Sequence, residues 1–284
     1  MSRPGRRSPG FVLVAACAVA SVALGEGTPA DVRLEYRFRP GERLDMDVSH
    51  RALTETTVGA TSQATETATD SRRTWTVLAV DPSGQATLEH SVDDVTMTSR
   101  TSDRGELRWS SGGDEPPPPG YEQVKASLGV PLARLVIDRS GRVLERRDLR
   151  PCPPSSTGDL VIVPLPEAPV REGAEWSVPQ EVVVETPGGL RKAVRARLRY
   201  RLVAVRDGVA TIRVDTTVLT PIDDPRLESR LLERIWNGEI EFDIDRGRVL
   251  RRRTAIDRRV VGFEGPESSV RYKSSLDERL VAPR

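Results

Sequence analysis

Ile240-Glu241-Phe242-Asp243-Ile244-Asp245-Arg246-Gly247-Arg248-Val249-Leu250 decides the fold. Ile240, Phe242 and Ile244 alternate with Glu239, Glu241 and Asp243, the period of two that places apolar side chains on one face of a strand. Asp245-Arg246-Gly247 then turns the chain, with Gly247 free to take the positive φ that a tight hairpin needs. Arg251 and Arg253 on the return strand are cross-strand partners for the acids. The spacing predicts an antiparallel hairpin with one buried face.

The same pattern occurs about a hundred residues earlier. Ile137-Asp138-Arg139-Ser140-Gly141-Arg142-Val143-Leu144 matches Ile244 to Leu250 with one extra residue. Gly84 to Leu88 matches Gly208 to Ile212, Trp75 to Val80 matches Tyr200 to Val205, and Pro40-Gly41-Glu42 is echoed by Arg171-Glu172-Gly173. The order is the same in both halves, which suggests a duplication. The boundaries that follow are a first β lobe at 31–150, a Pro-rich join at 151–159 and a second β lobe at 160–284.

Within each half the signals are strands and one helix. Val194, Ala196, Leu198, Tyr200 and Leu202 make the apolar face of one half-buried strand, which Leu190 extends. Asp224 is placed to cap a helix with Pro225 at its first position. Leu227, Leu231, Leu232 and Ile235 share a face, and Gly238 sits where the helix should stop. The first half has a weaker helix from Tyr121 to about Leu128, after four prolines at 116–119. The expected fold is mainly β: two repeated lobes, each a curved antiparallel sheet packed on one helix like a half-barrel.

Arg39-Pro40-Gly41-Glu42, Thr220-Pro221-Ile222-Asp223-Asp224-Pro225 and Val260-Val261-Gly262-Phe263 resemble an uncharacterised family of exported bacterial proteins, over most of 33–283. That family brings no activity with it. In architecture alone, a curved sheet around a helix is similar to the periplasmic lipoprotein-carrier and lipid-binding lipoprotein folds. That likeness implies an apolar ligand in the hollow.

The N-terminus reads as an export signal. Arg3, Arg6 and Arg7 precede an apolar run from Phe11 to Leu24, and Ala23-Leu24-Gly25 offers small residues for cleavage, giving a signal peptide at 1–25. The rival reading takes Val14-Ala15-Ala16-Cys17 as a lipobox, with a lipidated Cys17 on the membrane. Export to the periplasm or the exterior is expected either way. Without Cys17 the chain keeps only Cys152, so no intramolecular disulfide supports the fold.

Charge and motifs exclude much. The chain of 284 residues carries 43 Lys or Arg and 42 Asp or Glu, a net +1 that gives no electrostatic footprint for nucleic acid. It has no His-Glu-x-x-His, Cys-x-x-Cys, Gly-x-Ser-x-Gly or phosphate-binding glycine loop. Two histidines are too few for a His-rich metal site. No cofactor, metal or catalytic residue is expected, and Asp223-Asp224 is explained as a helix cap.

Four features carry the remaining functional readings. His50 and His90 stand where the second half has Val182 and Val214, which makes them candidate ligand-binding residues in the first lobe or, blandly, satisfied histidines at the sheet margin. Thr54 to Thr69 reads as a long hairpin turning near Gly59, either a solvated ribbon beyond the core or a contact surface for another envelope component. Arg191, Arg195, Arg197, Arg199 and Arg201 form a stripe on one strand face. It either binds an anionic polymer or lipid headgroup or is neutralised by Glu181, Glu185 and Asp215. Trp75, Trp176 and Tyr200 read as core, whereas Trp109 and Trp236 either rim a pocket or, as is more common, pack. The leading reading is a non-catalytic exported envelope protein for binding or interaction, with an apolar or lipid-like ligand between sheet and helix. The alternatives are a structural or assembly protein without ligand and, third, a secreted hydrolase.

Overall fold

The computed structural model describes residues 31–150, 162–185 and 191–281. The expected signal peptide, Cys17, Cys152 and the join at 151–159 lie outside the described residues. Among the described residues, twelve strands form one open antiparallel sheet. In chain order they are β1 (Arg43–Val58), β2 (Thr61–Val80), β3 (Ala86–Thr101), β4 (Gly105–Ser110), β5 (Ala133–Ile137), β6 (Val143–Asp148), β7 (Glu175–Glu185), β8 (Arg191–Arg206), β9 (Val209–Val218), β10 (Asn237–Asp243), β11 (Arg248–Val261) and β12 (Ser268–Leu280). Helix α1 (Glu122–Ala126) lies between β4 and β5, and α2 (Pro225–Leu231) between β9 and β10.

The sheet runs β6-β5-β3-β2-β1-β12-β11-β10-β9-β8-β7, with β4 beside the upper part of β3. β12 pairs with β1 over Met46–Val58 and with β11 over Arg251–Val261, joining the two halves into one sheet. Both outer edges are protected against further pairing. All of β6 is exposed and rich in charge, and β7 carries Pro179 in its middle.

Alternation places the core on one face, called inner here. Leu44, Met46, Val48, Trp75, Val77 and Leu88 from the first half join Leu198, Tyr200, Leu202, Ile212, Ile240 and Phe242 from the second in one cluster. The hairpin at 240–250 forms as the spacing predicts, although the ion pairs partly re-sort. Arg253 meets Glu239 at 2.8 Å and Glu241 at 3.3 Å, while Arg251 turns to Asp277 on β12.

The recurring glycines have a shared reason. Leu34 to Phe38 crosses the inner face between the two recurring turns, its backbone bonded to the Arg139 carbonyl (2.8 Å, from Tyr36) and the Gly247 carbonyl (3.1 Å, from Arg37). A Cβ on Gly141 would lie 2.6 Å from the Tyr36 ring, and one on Gly247 would lie 2.6 Å from the Arg37 nitrogen. Both glycines also take positive φ, 77° and 61°.

The expected helix in each hollow is corrected. α1 has five residues and buries none of them. Extended chain fills the first half's hollow instead, with Leu34, Tyr36, Ile162, Val163 and Leu165 all buried. The Tyr36 hydroxyl accepts from the Val163 N–H at 2.7 Å, and burial raises the pKa of this phenol. α2 does pack, through Leu227, Leu231 and the following Ile235, onto Val182, Val184 and Val194. The Asp224 side chain caps it, accepting from the Arg226 N–H at 2.9 Å. It ends earlier than the pattern predicts. Leu232–Arg234 is a 3-10 turn, and Gly238 belongs to β10, where a Cβ would fall 2.2 Å from the Arg253 carbonyl.

The Thr-rich hairpin turns at Gly59 but does not project. β12 pairs β1 as far as Val58, and β3 pairs β2 as far as Thr65, so these threonines belong to interior strands. Of the two readings for Trp109 and Trp236, packing holds, at 2% and 7% exposure.

Candidate functional site: a trough on the outer face

His50 and His90 both lie on the inner face but are not together. Through β2 they align with Thr69 and Trp75, six residues apart, or about 20 Å at strand rise. His50 is half-buried, with Nε2 2.9 Å from the Ser274 hydroxyl. Desolvation lowers its pKa, and the positive charges of Arg73 and Arg51 add to that. His90 stacks on the Trp75 ring at 4.7 Å.

Between them the inner face holds a buried ion cluster. Glu278, at 1% exposure, binds both Arg252 and Arg73, the latter at 3.5 Å. Burial lowers the Arg73 pKa and the Glu278 charge opposes that shift. Two gaps within the packing of this face are small, while a wider hollow of about 360 Å³ opens at its rim beside Arg33, Leu34, Glu35 and Ser140. The gap beside Trp236 and Tyr272, next to the 3-10 turn, has a volume of about 20 Å³, and the gap around Tyr36 and Trp75 is the same size. Each is about the size of one water. Between the sheet and α2, the space is taken by Val182, Val184, Val194, Leu227, Leu231 and Ile235.

The roomy site is on the opposite, outer face, where a trough of about 950 Å³ crosses β10, β11, β12, β1, β2, β3 and β4. Strand register explains it. Ala255, Ser275, Ala68 and Thr98 align across four of these strands, with Arg51 between Ser275 and Ala68. Asn237 and Arg108 end the row. Side chains this short leave a hollow beside the next row, Asp257, Lys273, Leu53, Glu66, Arg100 and Glu106. Six strand spacings put Asn237 and Arg108 about 29 Å apart on a flat sheet. Both line the same trough, so the sheet curves toward this face here.

Charge in the trough is partly paired. Arg51 binds Asp70 at 2.8 Å, and Arg271 binds Asp257 at 2.8 Å and holds its carboxyl below the usual range. Arg108, Lys273 and Glu66 have no ion pair within 4 Å among the described residues. Further down the same face a second hollow of about 400 Å³ is lined by Asp47, Asp70, Arg72, Asp94, Arg251 and Asp277. Charged side chains meet there as Arg72–Asp47 at 3.0 Å and Arg251–Asp277 at 2.5 Å. The trough can hold an elongated molecule with an apolar part over Leu53, Ala68 and Ala255 and a polar part among the cations. Among the described residues no group of three or more His, Cys, Asp or Glu converges as a metal site.

Sequence reasoning did not find the trough. Its signal was an alanine or serine at outward positions of charged strands, and that becomes a row only when register aligns seven strands.

No family model matches the chain, and the comparison with curated proteins returns no match. Among solved structures the chain is similar to one titled "Lipid-protein interactions in lipovitellin", at 12% identity and a TM-score of 0.50. The match covers 87% of this chain and 26% of that one, so the chain spans about a quarter of the neighbour's length. The shared feature is the fold, a large antiparallel sheet. A second structure, DynF from the dynemicin biosynthesis pathway of Micromonospora chersina, aligns over 91% of this chain and 92% of its own at 8% identity. Its TM-score of 0.24 carries no weight.

Proposed function

We propose that this is an exported, non-catalytic envelope protein that holds a lipid-like ligand in the outer trough. The observation that carries the reading is the row of short side chains, Ala255, Ser275, Ala68 and Thr98, hollowed into an otherwise charged face. A volume of about 950 Å³ suits one drug- or lipid-sized molecule. The likeness to lipovitellin, whose title names lipid, supports the class of ligand. The export signal supports a periplasmic or extracellular location.

Native mass spectrometry of the protein exported through its own signal tests both parts. A polypeptide beginning near Glu26 is expected, with a discrete added mass that organic extraction releases as lipid. A diacyl group on Cys17 would place the protein on the membrane instead. Ala68→Trp combined with Ala255→Trp fills the trough from outward-facing positions and should abolish the added mass while leaving the unfolding free energy from urea denaturation within about 0.5 kcal/mol of wild type. Retained lipid in that double variant would move the ligand elsewhere.

A second reading, a scaffold or assembly protein without ligand, draws support from the filled inner face. A bare polypeptide mass would favour it. The duplication read from the sequence is supported by the order β6-β5-β3-β2-β1 in one half and β11-β10-β9-β8-β7 in the other. Failure of Arg43–Val80 to superpose on Glu175–Arg206 would remove it.

A further inference from the structure

The arginine stripe on β8 has a different environment from the rest of the outer face. Several arginines elsewhere on that face meet acids, as in Arg51–Asp70, Arg72–Asp47, Arg251–Asp277 and Arg271–Asp257, although Arg108 stands apart from any carboxylate among the described residues. Arg195, Arg197, Arg199 and Arg201 are all exposed, and none has an ion pair within 4 Å among the described residues. Register places acids opposite them, Glu181 across from Arg195, Asp215 across from Arg199 and Glu175 across from Arg201, but the side chains do not close. Arg213, directly opposite Arg201 on β9, adds another cation. At strand rise the four guanidinium stems repeat about every 6.8 Å over about 20 Å.

Three exposed apolar side chains flank this ladder. Val183 is 49% exposed on β7, one outward position beyond Glu181. Leu219 is 44% exposed, and its N–H donates to the Arg195 carbonyl at 2.8 Å. Val203 is 40% exposed at the β8 bulge, just past Arg201.

We propose that this ladder docks the outer face onto an anionic lipid bilayer. Guanidinium groups bind phosphate bidentately, and each basic residue near such a surface adds attraction. The flanking Val183, Val203 and Leu219 can enter the headgroup layer, a role that an anionic polymer lying along the strand would not give them. Trough and ladder share one face, with only β9 between β8 and the trough's β10 end, so docking also brings the trough toward the membrane. The proposal rests on the lipid reading for its purpose, but its residues are distinct from the trough's.

Co-sedimentation with vesicles tests it. Vesicles of phosphatidylcholine and phosphatidylglycerol at about two to one should bind the protein at low salt, with binding lost at about 0.5 M salt. Phosphatidylcholine alone should not bind. Arg195→Ser with Arg197→Ser and Arg199→Ser should weaken binding by about tenfold or more, with circular dichroism and the urea midpoint unchanged. Arg142→Ser with Arg146→Ser and Arg147→Ser, at the far edge of the sheet, should bind like wild type. Equal binding by the β8 triple variant, equal binding to neutral vesicles, or binding to dextran sulfate without binding to vesicles would each overturn the proposal. Native mass spectrometry of the β8 variant separates the two readings. Its trough lipid should be retained, whereas failure of the trough reading leaves wild type without lipid whatever the vesicles show.

Discussion

Asp277 and Glu278 are neighbours on β12, and they occupy different solvents. The Glu278 side chain points to the inner face and is buried with Arg252 and Arg73. Asp277 points outward and meets Arg251 at 2.5 Å, with 40% of its side chain exposed. The chemistry is the same, a carboxylate with guanidinium. Burial alone separates them. Buried ions depend on each other because neither has water to return to, whereas exposed ions exchange a partner for solvent at little loss. A similar contrast separates the packing around Trp75 and Trp236, with gaps of about 20 Å³, from the outer trough of about 950 Å³.

The largest way to break this comparison is Glu278→Ala. It leaves Arg252 and Arg73 without their shared carboxylate and should destabilise the protein by about 3–5 kcal/mol in urea denaturation. Adding Arg252→Met should recover part of that loss, because it removes the stranded charge. A loss below about 1 kcal/mol would show that the inner cluster is hydrated and that the two faces are alike.

A much smaller loss is expected from Asp277→Asn on the outer face, under about 1 kcal/mol near neutral pH. The hydrogen bond from Arg251 holds the Asp277 carboxyl below its ordinary range. Its contribution is therefore present above the unfolded carboxylate pKa of about 3.9 and lost as pH falls through the folded value. The variant should lack that part of the acid slope when stability is followed into acid.

His50, half-buried at the margin of the inner cluster, should give the smallest effect. Its folded pKa is lowered, first by desolvation and then by Arg73 and Arg51, with Glu233 opposing. As pH falls below about 6.5 the unfolded chain takes up the proton first, so stability drops from there toward the folded pKa. His50→Val should flatten the slope between about pH 7 and 5.5. An unchanged slope would assign it to other groups.

The alternation around Phe242 and Leu198 made the β class legible, because one buried face writes itself as a period of two. The hairpin turns at Gly59 and Gly247 and the α2 cap at Asp224 were legible for the same local reason. The filling of the first hollow was not. Leu34 to Phe38 has no periodic signal of its own, and its burial depends on Gly141 and Gly247 leaving room for it. Gly238 looked like a helix stop because a glycine after an apolar stripe usually is one. Its actual constraint is the Arg253 carbonyl on the paired strand. The arginine stripe was visible as a pattern, and its facing acids were predicted correctly as neighbours. That Glu181 and Asp215 do not close into ion pairs is a matter of side-chain geometry.

The sequence by itself determined the strands, their buried faces and the turns, since these depend on neighbours a few residues apart. Only the tertiary structure decided that β12 joins both halves into one sheet, and that Ala255, Ser275, Ala68 and Thr98 fall into one row. Those four residues are drawn from two distant stretches of chain, the β2–β3 and β11–β12 hairpins. Cross-strand register, set by packing on the opposite face, aligns them, and no local pattern records it.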